Sequence, residues 1–226
     1  MKLILITLFS CLSLLASSQM NDIVLMNPSF EDSPRKGGRI ESINGWYDCG
    51  FILFPRESPP DIHPAKAWGV DSEPYDGATY LGLVVRDNDS WESVSQKLAL
   101  EDGTLTPMQG GHCYALSMAV LQSEKYISGS RYQYLKNDNK LQTFNYNKPA
   151  IVRIWGGNSY CNKLELLASS GPIDNQEWKV LDFNFTPNQN YEFITLEAYY
   201  QTPVLVPYNG HVLIDGLSNI SEVTCE

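Results

Sequence analysis

Along most of the chain, apolar and polar residues alternate with a period of two in short runs, separated by Gly, Pro, Asn and Asp. That period puts successive side chains on opposite faces of a strand, so each run reads as a strand with one face turned to a core. The clearest runs cover residues 80–85, 113–120, 150–155, 178–185, 191–200 and 211–220, with weaker ones at 23–25, 93–98 and 163–167. In residues 113–120, Tyr114, Leu116, Met118 and Val120 alternate with Ala115, Ser117 and Ala119. No stretch beyond the N-terminus holds a helical period for three turns. Eight or nine strands with long connections, without a βαβ rhythm or a repeat, predict an all-β fold: a two-sheet β-sandwich of jelly-roll type.

Two segments break the alternation. Residues 32–78 are rich in proline and carry several aromatics. Residues 121–149 hold Lys125, Arg131, Lys136, Lys140 and Lys148 interleaved with Tyr126, Tyr132, Tyr134, Phe144 and Tyr146, in a chain whose formal net charge is −10. Long loops in a compact domain are commonly functional; the second segment reads either as a binding loop or as a solvated hairpin insertion.

The first residues change the picture. Met1-Lys2, an apolar run from Leu3 to Ala16 and then Ser17-Ser18-Gln19 form a charged start, a hydrophobic stretch and a small-residue cleavage site. Residues 1–18 are therefore expected to be a signal peptide and 19–226 one exported domain. A rival reading, acylation at Cys11, fits less well because Leu12, Leu14 and Leu15 continue the apolar run past that cysteine. The run is shorter than the roughly 20 residues a membrane anchor needs. Losing the leader removes Lys2 and takes the net charge from −10 to −11. An acidic surface argues against a nucleic-acid partner, whose phosphates call for a basic stripe.

Without Cys11, four cysteines remain, an even set that reads as two disulfides in an oxidising compartment. Three connectivities are possible. Cys113 opens one strand and Cys225 closes the last, which favours Cys113 with Cys225 and Cys49 with Cys161.

The order Asn27-Pro28-Ser29-Phe30-Glu31, Gly45-Trp46, Asp76-Gly77-Ala78-Thr79-Tyr80-Leu81-Gly82 and Tyr208-Asn209-Gly210-His211-Val212-Leu213-Ile214-Asp215 resembles carbohydrate-binding-module-like, galactose-binding-type jelly rolls, of the kind exported by Bacteroidetes. The resemblance implies a glycan-binding module of the periplasm, cell surface or medium. It also implies a structural calcium held by Glu31, Asp76 and Asp215. Strand alternation independently places Asp215 on the face of Leu213 and Leu217, where a carboxylate must be paired or bind a cation. Backbone hydrogen bonds would satisfy it without metal.

Sugars are recognised by flat aromatic faces flanked by planar hydrogen-bonding groups. The loop candidates are Trp46, Tyr47, Trp68, Tyr75, Trp91, Tyr126 and Tyr132, with Arg86, Asn88 and Gln96 as polar neighbours. The alternative role of Trp46, Trp68 and Trp178 is packing under long loops. No nucleophile elbow, zinc-binding His pair or phosphate loop is present. A glycosidase or lyase would have to draw on carboxylates such as Asp61, Asp71, Glu73 and Asp76. His63, His112 and His211 read as surface or capping groups. The expected activity is binding rather than catalysis. The partner is a glycan or, in a second reading, another protein of the cell envelope.

Overall fold

The computed structural model describes residues 22–35, 43–55, 57–66, 68–130, 142–203 and 205–225. The expected leader and Tyr132 lie outside the described residues. In chain order the elements are β1 (Tyr47–Asp48), α1 (Gly50–Leu53), β2 (Asp61–His63), β3 (Tyr80–Arg86), β4 (Ser90–Trp91), β5 (Ser93–Lys97), β6 (Cys113–Leu121), β7 (Ile127–Ser130), β8 (Gln142–Asn145), β9 (Lys148–Gly157), β10 (Glu165–Ser169), β11 (Lys179–Phe185), β12 (Phe193–Tyr200), β13 (Gly210–Asp215) and β14 (Ser221–Val223).

Twelve of these strands form one sheet that curls into two layers. The first layer runs β1-β5-β12-β9-β10, all antiparallel. In the second, β2-β3-β13-β6-β11 are antiparallel, with β4 added to β3 and β14 to β6. A short parallel pairing of Lys148 and Pro149 with Gly210 and His211 joins the layers. The chain itself crosses between them at Glu92, whose N–H donates to Val84 O in one layer and whose carbonyl accepts from Ala198 N in the other. The all-β sandwich read from the alternation is thus the fold. The predicted strands are present as its long members, while 23–25 contributes only single bridges from Ile23 to Ile220 and Val24 to Ala99. The run at 211–220 divides at Gly216, which has φ +53° and ends β13 before β14 begins.

Alternation assigns the inner faces. Leu81, Leu83, Val152, Ile154, Leu196 and Val212 belong to the main hydrophobic cluster between the layers, each fully buried. Each such side chain contributes about 1.5–3 kcal/mol by leaving water.

Both disulfides form, Cys49–Cys161 and Cys113–Cys225. The first fastens the residue before α1 to the β9–β10 loop. The second fastens the start of β6 to the chain end beyond β14.

Residues 121–149 include the β7–β8 hairpin, a separate two-stranded sheet. Its base lies over the outer face of the second layer. There Tyr126, Tyr146, Val70, Tyr80, Val84 and Leu213 make a second buried cluster, with Trp68, Phe144 and Trp178 packed against it. The insertion is tied down by Ile127 N to Trp68 O at 2.6 Å and Ser123 N to His211 Nε2 at 2.9 Å, while Tyr146 N to Tyr126 O at 2.8 Å closes its own base.

His63 and His211 are both fully buried under this cover, which corrects their reading as surface or capping groups; only His112 is exposed, beside Glu222. Nδ1 of His211 faces Tyr146 O at 2.6 Å and its Nε2 accepts the N–H of Ser123 at 2.9 Å. That pair of contacts defines a neutral ring with its proton on Nδ1. Burial pulls the pKa of His211 down to about 4 and that of His63 to about 3.

Candidate functional site

The N-terminal motif builds a corner. Asn27 donates to Glu31 O and Asn44 O and accepts from Glu31 N, while Trp46 Nε1 donates to Asn27 O at 3.1 Å. Phe30 and Trp46 pack in the core with ring centroids 5.3 Å apart. Trp46 is 3% exposed and packs in the core, reaching the surface only where it lines the cleft beside Tyr47.

The three proposed calcium ligands converge on one turn, at residues 75–79. Asp215 accepts the N–H groups of Tyr75 and Asp76 on Oδ2, at 2.9 and 3.0 Å, and that of Gly216 on Oδ1. Glu31 accepts those of Ala78 and Thr79, and Asp76 accepts the hydroxyl of Ser29. Gly77 is required here: it has φ +62°, and a Cβ would lie 2.0 Å from Glu31 Oε1. The fit to a cation is therefore partial, since Asp215 spends both oxygens on N–H donors. No group of three or more His, Cys, Asp or Glu side chains placed to hold a metal occurs among the described residues.

Two further ligand-binding candidates are placed away from solvent. Arg86 is buried between Glu92 and Glu57 and also donates to Ser58. Tyr126 is 1% exposed, its hydroxyl on Asp61. Trp68 packs against the second cluster, Gln96 ties Met26 to Gly45, and Asn88 bridges Glu57 and Ser90. All were singled out because polar and aromatic residues in loops suggest recognition; here they fill the seam beneath the loops instead. Tyr75 is half exposed near Trp178, across the molecule from the face described next.

That face is the outside of the first layer. Leu196, Ala198, Val152 and Ile154 point inward, so Phe193, Thr195, Glu197 and Tyr199 of β12 and Arg153 and Trp155 of β9 point outward. Register sets Trp155 beside Thr195, and Arg153 and Ser93 either side of Glu197.

Glu197 is 1% exposed, and it organises its surroundings. Trp91 Nε1 donates to its Oε1 at 2.6 Å, Trp155 Nε1 to its Oε2 at 2.7 Å, and the Lys163 ammonium to Oε1. The Lys163 ammonium also lies 5.6 Å from the Trp91 ring centre and 6.0 Å from that of Trp155. The Arg153 guanidinium stacks on Tyr199 at 3.5 Å. Trp91 packs edge-on against Tyr199 and Phe54, each at 5.0 Å.

Further along, Tyr47 stacks on Tyr160 at 5.0 Å, and Tyr160 meets Phe193 edge-on. An open cleft of about 340 Å³ lies at this end, between Tyr47, Tyr160, Lys97 and Gly45. The Cys49–Cys161 bridge holds α1 and the Tyr160 loop in place around it.

Of the sequence candidates, Trp91 and Tyr47 stand on this face. Glu197, Trp155, Tyr199, Arg153, Lys163 and Tyr160 were not anticipated. A signal did exist, because Glu197-x-Tyr199 and Arg153-x-Trp155 each break the polar side of a strand with bulky or charged residues on one face.

No known family and no curated protein matches this sequence. Solved structures match in fold. One is the Stig cyclase Fisc from Fischerella sp. TAU, with TM-score 0.51 and 14% identity over 92% of this chain and 100% of that one. An arabinose-bound α-L-arabinofuranosidase has TM-score 0.51 and 9% identity over 91% of this chain and 27% of that one. The CBM22-1 xylan-binding domain from Paenibacillus barcinonensis Xyn10C has TM-score 0.46 and 14% identity over 93% of this chain and 100% of that one. At such identities the likeness shows the fold alone.

Proposed function

We propose that this chain is an exported, non-catalytic carbohydrate-binding module whose ligand lies along the outer face of the first layer. The carrying observation is the fixing of two indoles, Trp91 and Trp155, by one buried carboxylate. A ring locked through its N–H loses little entropy when a sugar stacks on it, and Lys163 and Arg153 offer donors at the rim. The commitment of Glu197 to two indoles and a lysine supports the reading of binding rather than catalysis. The two disulfides support export, since such bridges persist in oxidising compartments. No described helix is long and apolar enough to cross a membrane.

The test is affinity electrophoresis on a panel of soluble polysaccharides, followed by tryptophan fluorescence. Retardation by a defined glycan, lost in Trp91→Ala and Trp155→Ala variants that melt normally, is the expected result. Failure of every glycan would favour the second reading, an envelope protein partner. That reading draws on the exposed Phe51, Ile52 and Leu53 of α1 beside the same groove.

Calcium enters the proposal as a stabiliser of the 75–79 turn, where Glu31, Asp76 and Asp215 meet. An ion bound only by the folded state raises its stability by mass action. A lower melting temperature in chelator supports it. An unchanged one assigns the turn to its hydrogen bonds alone.

A further inference from the structure

The groove carries charge that its own residues leave unbalanced. Lys163 and Arg153 share the single carboxylate of Glu197, so among the described residues this cluster carries a net positive charge, on a protein whose formal net charge is −10.

The two cations are used differently. Lys163 is hydrogen-bonded to Glu197, whereas the nearest guanidinium nitrogen of Arg153 is 4.0 Å from it, beyond a hydrogen bond. The guanidinium makes no hydrogen bond with any described residue, and its Nε is enclosed without an acceptor. It is held flat instead by the Tyr199 ring, at 3.5 Å.

An arginine has five N–H donors in a planar fork that matches a carboxylate in a bidentate pair. Fixing that fork by stacking while leaving its donors unspent pre-organises it for an anionic, planar acceptor. The position is two residues from Trp155 on the same face of β9 and against the same Tyr199 that meets Trp91, so the acceptor belongs to a ligand already lying on those rings.

We infer that the groove selects acidic glycans, and that Arg153 binds the carboxylate of a uronic acid residue. The inference rests on the carbohydrate reading above and narrows it to a class of sugar. Arg153 is the specificity-determining residue; Glu197 and the indoles serve any sugar on the platform.

The experiment uses the full folded protein with a uronic-acid polysaccharide, polygalacturonate or glucuronoxylan, and with the same polymer after chemical reduction of its carboxyl groups. Reduction leaves the ring and linkage and removes only the charge. The expected result is binding weakened about tenfold or more on reduction, as one charge-assisted pair accounts for. Arg153→Gln should erase the difference between the two polymers and Arg153→Lys should restore part of it, since charge returns without the fork.

Equal binding of native and reduced polymer overturns the inference and leaves the carbohydrate reading standing. That comparison needs no variant, so it decides even if the substitutions unfold the protein. Absence of binding to both polymers and to neutral glycans overturns the two together.

Discussion

The outer faces of the two layers use the same kinds of side chain for opposite purposes. On the second layer, arginine, glutamate, aspartate and tyrosine are sealed beneath the 121–149 insertion. There Arg86 meets Glu92 and Glu57, and Tyr126 meets Asp61. On the first, Lys163, Arg153 and the indoles of Trp91 and Trp155 surround the buried Glu197 carboxylate on a face that, among the described residues, α1 and the Tyr160 loop only border. Burial forces polar groups to find partners within the chain, because an unpaired one costs roughly 1–3 kcal/mol. An open face can leave donors unspent for a ligand. What distinguishes the two is therefore the cover, not the residue types.

The comparison breaks most directly at its two glutamates. Glu92→Ala leaves the buried Arg86 cation with only its longer 3.7 Å contact to Glu57 and should cost about 3–5 kcal/mol by denaturant unfolding. Glycan affinity of the folded fraction should not change, because Glu92 faces away from the groove. Glu197→Gln should do the reverse, losing about a hundredfold in affinity, close to 2.7 kcal/mol, with a smaller fall in melting temperature. If Glu92→Ala also abolishes binding, the faces are coupled and the comparison is wrong.

The two disulfides sharpen it further. Each closes a sequence separation of 112 residues, so loop closure alone predicts equal losses, each in the range of about 2–5 kcal/mol. Binding should separate them. The Cys49→Ala, Cys161→Ala pair frees the walls of the groove and should weaken glycan binding measured well below the melt, whereas the Cys113→Ala, Cys225→Ala pair should not.

Acid separates the two faces more gradually. His63 and His211 are neutral in the fold, with pKa values lowered to about 3 and about 4 from an ordinary 6.5. Between those values and 6.5 the unfolded chain takes up the protons first, so stability is complete above pH 6.5 and falls as the pH drops, by at most about 1.4 kcal/mol per pH unit for each ring. Protonated His211 would also turn an N–H toward that of Ser123. Amide exchange at 122–130 and 142–147 should therefore quicken in acid before exchange in β9 and β12 does.

His63→Phe isolates the contribution. Neither ring nitrogen of His63 has a hydrogen-bond partner among the described residues, and its ring stacks on Tyr80 at 5.5 Å. The variant should be at least as stable at pH 7 and lose less stability at pH 5. An unchanged acid slope would place the sensitivity elsewhere.

Much of the frame was legible from local pattern. A period of two located the long strands and showed that Asp215 shares a face with Leu213. The face is buried as expected, and the carboxylate is met there by three main-chain N–H groups. The pairing of four cysteines followed from where the strands start and stop. The candidate site was legible only in part, because local pattern does not distinguish an exposed loop aromatic from one folded under the loop. Trp46 and Tyr126 lie in loop-rich sequence yet are buried, while Trp155 and Tyr199 lie inside strands and still reach the surface.

The sequence by itself determined the strands, their inward faces and the covalent links, since those depend on alternation and on residues tied to strand ends. Only the tertiary structure decided which outward face is covered and which is open. A strand's alternation separates its two sides but carries no record of what a segment dozens of residues away lays over one of them. Glu197 and Glu92 look alike in the chain; among the described residues the insertion lies over one layer and not the other, which makes Glu92 a partner for a buried arginine and Glu197 the centre of the proposed binding face.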